Sequence, residues 1–452
     1  MRYNGIEGEP APGDRAAVCY ACDGKTTDET TGTGDIRMAE ATGPTIDGER
    51  VWRRHMEYAE LGATPRGGVN RTALTPDDIE VHRRLTVDAQ ARGFAVSVDD
   101  YGNTFYRLEG QEPDLPPVVS GSHSDTQPTG GRFDGIFGVL AAFEALEAMA
   151  DAGVQPRRSV EAVIWNNEEG ARFTPSSMGS AVYIGHVALE PLLAGVDVKG
   201  DTMGGAIAAL RAAMPGVAHR PFGEPFHAFV EAHIEQGPIL ENEGIPIGVV
   251  TGIQGTRKFD LEIIGEEAHA GTMPRAGRRD ALVDAVAAVN SLHEIFHDEA
   301  DEVRFTIGKF EVYPGARAVV PGRVRFSVDF RHPDNALVKE LGDRLGPAVR
   351  EAAARCEVKI TEANQAESTI FTDMVPDAIV RSAEARGYKW RRIFSGAGHD
   401  ARYMAMHCPS GMVFVPCEGG ISHNESENAR QEDVAAGTQV ICDTMLDLAN
   451  SE

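Results

Sequence analysis

Between residues 117 and 250, short apolar runs alternate with helical spacing. Val118-Val119-Ser120 reads as a strand, Val139, Phe143, Leu146 and Met149 share one side of a helix, and 160–165 reads as a second strand. This βαβ alternation predicts an open, largely parallel sheet. In such sheets sites collect at the carboxyl ends of strands, and His123, the run 166–169 and His233 each fall at one. Upstream, helical spacing begins at Gly48, and Thr75-Pro76-Asp77-Asp78 starts an amphipathic helix that runs to about Arg92. From Gly255 to about Ala363 the order changes to strand 259–264, helix 280–296, strands 303–312 and 324–330, helix 336–354 and strand 357–361. That is the order of a split βαβ, ferredoxin-like unit. Because the α/β pattern resumes after Ile370, the unit reads as an inserted domain, 255–363, that divides a main domain into 47–254 and 364–452. Residues 1–46 are rich in Gly, Thr, Asp and Glu without periodicity and read as a mobile extension.

A chain of 452 residues exceeds a single hydrophobic core, which agrees with two domains. The net charge of -26 repels phosphate backbones and anionic lipid, so nucleic acid and membrane are poor partners. No apolar run approaches the roughly 20 residues that cross a bilayer, and the acidic N-terminus lacks a basic segment leading into an apolar one. A cytoplasmic protein is expected. Lysine supplies only seven of the 43 basic residues and the acidic residues are spread along the chain, the pattern of proteins from salt-adapted, halophilic cytoplasms; an ordinary acidic protein is the alternative. Six cysteines are too few for a disulfide framework in a chain this long. Cys19 and Cys22 form a C-x-x-C pair with no second pair nearby, which reads as coincidence.

In Gly121-Ser122-His123-Ser124-Asp125, His and Asp two apart at a strand end leave on the same face, so the Asp can hold the imidazole. A buried structural histidine is the plainer reading. Asp134, in Gly130-Gly131-Arg132-Phe133-Asp134-Gly135, stands just ahead of a helix, where it could cap that helix or bridge two cations. Glu168 and Glu169 stand side by side after a strand; they suit one metal ligand and one base, or two solvated loop charges. His233 and His423 are unremarkable singly. Together His123, Asp134, Glu169, His233 and His423 supply three imidazoles and two carboxylates, a donor set suited to a pair of Zn, Mn or Co ions with positions left for water.

These motifs give the sequence its resemblance to the peptidase M20 superfamily, and within it to the amidase branch of hydantoinase/carbamoylase enzymes. It spans about Gly48 to Leu448. Further matching segments are Gly67-Gly68-Val69-Asn70-Arg71, Glu168-Glu169-Gly170-Ala171-Arg172-Phe173, His233-Ile234-Glu235-Gln236-Gly237, His269-Ala270-Gly271-Thr272, Asp329-Phe330-Arg331-His332-Pro333, Ser395-Gly396-Ala397-Gly398-His399-Asp400-Ala401 and Gly420-Ile421-Ser422-His423. The branch includes N-carbamoyl-L-amino acid hydrolases, allantoate amidohydrolases and β-ureidopropionases. The fold implied is α/β: a discontinuous catalytic domain with a mixed, largely parallel sheet, and an inserted ferredoxin-like (split βαβ) dimerisation and lid domain.

Carried over position by position, the resemblance implies two divalent metal ions per subunit, one on His123, Asp134 and His233, the other on Asp134, Glu169 and His423. Asp125 would orient His123, Glu168 would be the general base and acid, and Gln236, His269, Arg331 and His399 would contact substrate. His269 and Arg331 would reach in from the inserted domain of a partner subunit, making the homodimer necessary for activity. The activity implied is hydrolysis of a C–N bond in a small-molecule ureido or amide substrate, an N-carbamoyl-L-amino acid or related ureido acid, releasing ammonia and CO2. In that chemistry His269 and a metal would stabilise the developing oxyanion.

Two departures concern substrate. In Pro314-Gly315-Ala316-Arg317-Ala318-Val319-Val320-Pro321-Gly322, Ala318 stands where the family has an Asn, removing one donor on the substrate's carboxylate side. Thr272-Met273-Pro274-Arg275 differs slightly from the family's Thr-Thr-Pro-Met. An aminopeptidase or dipeptidase of the same superfamily is one competing reading, opposed by His233-Ile234-Glu235-Gln236-Gly237; a ligand-binding protein that has lost its chemistry is another, opposed by the presence of Glu168 and every ligand.

Overall fold

A computed structural model describes residues 43–452. The Cys19 and Cys22 pair and almost all of the N-terminal extension lie outside the described residues. Among the described residues the main sheet has ten strands. At its centre Ser410–Val415, Ala228–Ile234, Val118–His123 and Val160–Trp165 lie side by side, all parallel. Antiparallel strands flank them: Ile247–Ile253 next to Ser410–Val415, and Thr104–Leu108 next to Val160–Trp165.

The four central strands are buried along their whole length, as a sheet covered on both faces requires. Neighbouring residues serve opposite layers. Val118, Ala162, Val230 and Val413 face the helices Ile136–Asp151 and Gln431–Asn450, whereas Val119, Val163, Phe229 and Met412 join a second core with Tyr183 and Phe226. The helix Ile136–Asp151 is buried at all but its last two residues, because it packs on both the sheet and the helix Gln431–Asn450.

A second sheet is formed from Gly255–Ile264, Arg304–Thr306, Phe310–Tyr313, Arg323–His332 and Glu357–Ala366, antiparallel throughout. Along Arg323–His332 buried and more exposed residues alternate, so one face packs on the helices Ala281–Phe296 and Asn335–Ala352 and the other stays open. The single strand expected over 303–312 is two short strands. Arg304–Thr306 and Phe310–Tyr313 both pair with Arg323–His332, but the register slips by one residue across Ile307–Lys309. Ala268–His269 and Val319–Val320 make a separate two-stranded ribbon. Among the described residues no helix is long and apolar enough to cross a membrane.

The approach of Val118–His123 to Val160–Trp165 depends on Gly121, whose φ of +154° and lack of a side chain admit the Val163 carbonyl; a Cβ there would lie 2.0 Å from that oxygen. Gly121→Ala should destabilise the fold by about 1–3 kcal/mol, the usual cost of overpacking a core. Urea denaturation checks this, and an unchanged midpoint and slope would contradict it.

Candidate metal centre

The four parallel strands end along one edge and bring their following loops together. His123 is the last residue of its strand, Glu168 and Glu169 follow Trp165, His233 is the next-to-last residue of Ala228–Ile234, and the chain leaving Ser410–Val415 reaches His423. Asp134 comes from the turn before the helix Ile136–Asp151. Its carboxylate is shared: Oδ1 lies 3.6 Å from His123 Nε2 and 3.1 Å from His233 Nε2, and Oδ2 lies 3.3 Å from His423 Nε2. His423 Nε2 is also 3.5 Å from Glu169 Oε2. Two three-residue groups result, His123–Asp134–His233 and Asp134–Glu169–His423, each with ligand atoms within 4.8 Å of one another. Imidazole nitrogens and carboxylate oxygens in two triads that share one carboxylate fit a pair of divalent cations in spacing and in donor chemistry.

Hydrogen bonds fix how the imidazoles are presented. His123 Nδ1 lies 2.9 Å from the Asp125 carbonyl and His233 Nδ1 lies 2.9 Å from the Ile234 carbonyl. A carbonyl only accepts, so both Nδ1 atoms carry hydrogen and Nε2 faces the cluster. Asp125 thus meets His123 through its backbone; its carboxylate, 3.7 Å from the ring, accepts instead from the amides of Glu168 and Glu169 at 3.1 and 3.2 Å. One residue therefore holds both the His123 ring and the paired glutamates.

The electrostatics of these side chains follow from burial and crowding. Burial, reinforced by Asp134, pushes the Glu169 carboxyl up to about 7, and burial pushes Asp125 up to about 8. For Asp134 burial works in the same direction, yet the hydrogen bond and charge of His233, with His423 and His123, hold it well below the usual carboxylate range. The hydrogen bond to Asp134 raises His423 to about 9. Burial and the neighbouring His233 ring, 4.5 Å away, hold His399 well below the usual imidazole range.

The cluster opens on a cavity of about 320 Å³ lined by Glu168, Gln236, Arg331 and His399 together with the ligand residues. Glu168 Oε2 lies 3.7 Å from His123 Nε2, and its Oε1 accepts from the Ser177 hydroxyl at 2.8 Å. Gln236 donates its amide to Asp134 Oδ2 at 2.9 Å. Arg331 lines the cavity of its own chain. Its Nε and Nη2 donate to Asp329 at 3.1 and 2.9 Å and its Nη1 to the Gly396 carbonyl at 2.7 Å, so the broad side of the guanidinium is already occupied. His269 does not line this cavity; it is exposed on the ribbon, its Nδ1 accepting from the amides of Gly271 and Thr272. Ala318 is next to that ribbon, its carbonyl accepting from the Ala270 amide at 2.9 Å. A second cavity of about 730 Å³ shares Gln236, Gln254, Arg331 and His423 and adds Ile239, Phe305 and Ile393.

Residues 119–447 match the model of peptidase family M20/M25/M40. The chain belongs to this family. Among M20 relatives, an N-carbamoyl-L-amino-acid amidohydrolase from Rhizobium meliloti is 35% identical over 89% of this chain and 97% of its own length. The allantoate amidohydrolase of Escherichia coli is 33% identical over 86% of this chain and 95% of its own. The crystal structure of an amidase of the hydantoinase/carbamoylase family from Burkholderia multivorans superposes with a TM-score of 0.85 at 44% identity, covering 90% of this chain and 99% of that one.

In this M20 chain the sequence motifs account for the groups nearest the cluster but not for the groups that hold them. Gln127 donates its amide to Glu169 Oε2 at 2.7 Å, Ser177 contacts Glu168, and Glu427 accepts the backbone amides of Phe133 and Asp134. Gln127 lies two residues beyond Asp125 but past the end of the strand at His123, so nothing in the sequence marks either it or Ser177. Cations binding here would offset the mutual repulsion of buried carboxylates. Chelator-treated protein should therefore melt higher when Zn, Mn or Co is added, by about 2.7 kcal/mol of stability at a hundredfold excess over Kd. With Asp134→Asn most of that gain should vanish. Differential scanning calorimetry reads both, and equal melting temperatures with and without metal would contradict the fit.

Proposed function

We propose that this M20 hydrolase acts on a non-peptide C–N bond of an N-carbamoyl-L-α-amino acid or related ureido acid. Water and the substrate would yield the amino acid, ammonia and CO2. The observation that carries the reading is the sharing of Asp134 by two ligand triads, with Glu168 beside them at the wall of a cavity that Arg331 also lines. His123, Asp134 and His233 would hold one divalent ion, and Asp134, Glu169 and His423 the other, with zinc, manganese or cobalt fitting the donors. When bound, such ions supply Lewis acidity, acidifying water and polarising a carbonyl. Glu168 takes a proton from the attacking water and returns it to the leaving nitrogen, Ser177 holding the other carboxylate oxygen in place. The free N–H groups of Arg331 meet the substrate's carboxylate. Gln236 and His399 pair with the ureido group, and the apolar walls of Ile239, Phe305 and Ile393 leave room for a side chain. The relatives named for carbamoyl amino acids and allantoate support this class over peptides, and Ala318 in place of Asn argues for a looser hold on the carboxylate side, so allantoate or a β-ureido acid is the second choice.

Ammonia release from carbamoyl amino acids, allantoate, β-ureidopropionate and dipeptides tests the substrate. Ureido acids should be turned over far faster than dipeptides, because polar groups left unpaired in the site discriminate strongly. Glu168→Gln should lower kcat about 10²- to 10⁴-fold with metal content unchanged, and Arg331→Lys should raise KM for acid substrates. Dipeptides emerging as the best substrates, or near-normal turnover by Glu168→Gln, would overturn the assignment.

The proposal extends to a cytoplasmic homodimer adapted to salt. Val283 and Val286 are 63% and 47% exposed on the outer side of the helix Ala281–Phe296, an apolar stripe suited to a second copy of the inserted domain, 255–363. From such a dimer His269, exposed on its ribbon, would serve the partner's site. The charge of -26 repels itself less as the Debye length falls from about 10 Å at 0.1 M salt to about 3 Å at 1 M. Light scattering and thermal melts across a KCl series should give a dimer mass, reduced by Val283→Glu, and a rising melting temperature; a monomer throughout, or a melting temperature that falls with salt, would count against the respective half of the reading.

A further inference from the structure

We infer that Glu427 is a positioning residue for the metal centre: it sets the backbone of Asp134, and through Ser422 ties that turn to the loop that carries His423. The inference rests on the proposed metal centre. Glu427 is buried, four residues beyond His423, and its carboxylate spans the gap between two loops that are remote in sequence. Oε1 accepts from the amides of Phe133 and Asp134 at 2.9 and 3.0 Å. The Ser422 hydroxyl lies 2.9 Å from Oε2, and the same hydroxyl lies 2.9 Å from Asp134 Oδ2. Glu427 therefore fixes the main chain of Asp134 directly, and its second oxygen packs on the Ser422 hydroxyl, whose one hydrogen can go to either carboxylate.

The turn is shaped to admit this carboxylate. A Cβ at Gly131 would stand 2.0 Å from the Glu427 carboxyl, so a residue with any side chain there would displace it. The rest of the loop is clamped beside it: Arg132 donates to the Asn428 side chain at 2.6 Å, and Arg66 pairs with Glu425. His423 is exposed and has a φ of +54°, a left-handed backbone conformation uncommon for any residue other than glycine. Its direction toward Asp134 and Glu169 is thus imposed by the segment on either side, in which Ser422 and Glu427 contribute the contacts to the Asp134 turn. Without Glu427 the amides of Phe133 and Asp134 lose their acceptor in a buried place, and the turn must move to regain one. Asp134 belongs to both triads, so both weaken. The Asp134–Glu169–His423 triad weakens more, because the displaced loop also carries His423.

The test is metal stoichiometry after dialysis, by inductively coupled plasma mass spectrometry, with affinity from competition against a chelator, for the full chain and its variants loaded with zinc. Wild type should hold two ions per chain. Glu427→Ala should fall to one or fewer with at least tenfold weaker binding, whereas Glu427→Gln, which keeps an oxygen for the two amides, should stay within about threefold of wild type. Gly131→Ala should reproduce the loss with Glu427 intact, and decides the matter where Glu427→Ala does not fold. Glu425→Gln in the same loop should keep two ions, which separates the role of Glu427 from general damage to the loop. Two ions at wild-type affinity in both Glu427→Ala and Gly131→Ala, or equal loss in Glu425→Gln, would overturn the inference. A wild type that takes up no zinc would instead overturn the metal centre itself.

Discussion

Negative charge gathered at the end of a parallel sheet is the constraint on which the rest of this molecule depends. Asp134, Glu168, Glu169 and Asp125 converge within a few ångströms of one another and are largely removed from water, an arrangement that costs free energy unless each carboxylate has partners. Each has them. Backbone amides reach Asp125, a glutamine reaches Glu169, a serine reaches Glu168, and imidazoles, an amide and a hydroxyl surround Asp134. The fold follows from providing these partners, since no single loop could. Four neighbouring strands must end together, and they do so only because both faces of the sheet are covered and its strands can run parallel.

Much of this was legible in the chain. Strands buried on both faces leave continuous apolar runs, and a His or Glu that ends such a run has few places to go but the carboxyl edge. Arg331 was expected to reach in from a partner subunit, whereas it lines the cavity of its own chain, and its neighbour Asp329, two positions earlier on the same strand and hence on the same face, was the clue that its guanidinium would already be engaged. The slip at 307–309 shows in the alternation itself: apolar residues fall at Val303, Phe305 and Ile307 and then at Phe310 and Val312, a change of parity that a single continuous strand would not carry.

What the sequence concealed has one physical character: it is contact at long range between unremarkable residues. Glu427 meets Phe133 across 294 positions and Ser180 meets Asp400 across 220. A buried glutamate and a surface glutamate look alike when read along a chain, and only the satisfaction of a particular pair of amides distinguishes them. Glycines carry part of the missing information. Gly121 and Gly131 each mark a spot where another segment comes too close for a side chain, although neither names the segment that approaches.

The smaller sheet is joined to the larger by two crossings that lie against each other. Gln254 leaves Ile253, Ser368 returns beside it, and the Ser368 hydroxyl donates to the Ile253 carbonyl at 3.1 Å while its amide donates to the Asn335 side chain at 2.6 Å. Two crossings held side by side leave the smaller sheet attached along a single short seam. Arg331, on the smaller sheet, adds a further tie, its Nη1 donating to the Gly396 carbonyl just beyond the strand Trp390–Ser395 of the larger sheet. The guanidinium that ties the two sheets is thus also a cation on the cavity wall, so a change at this one position would touch the fold and the site together.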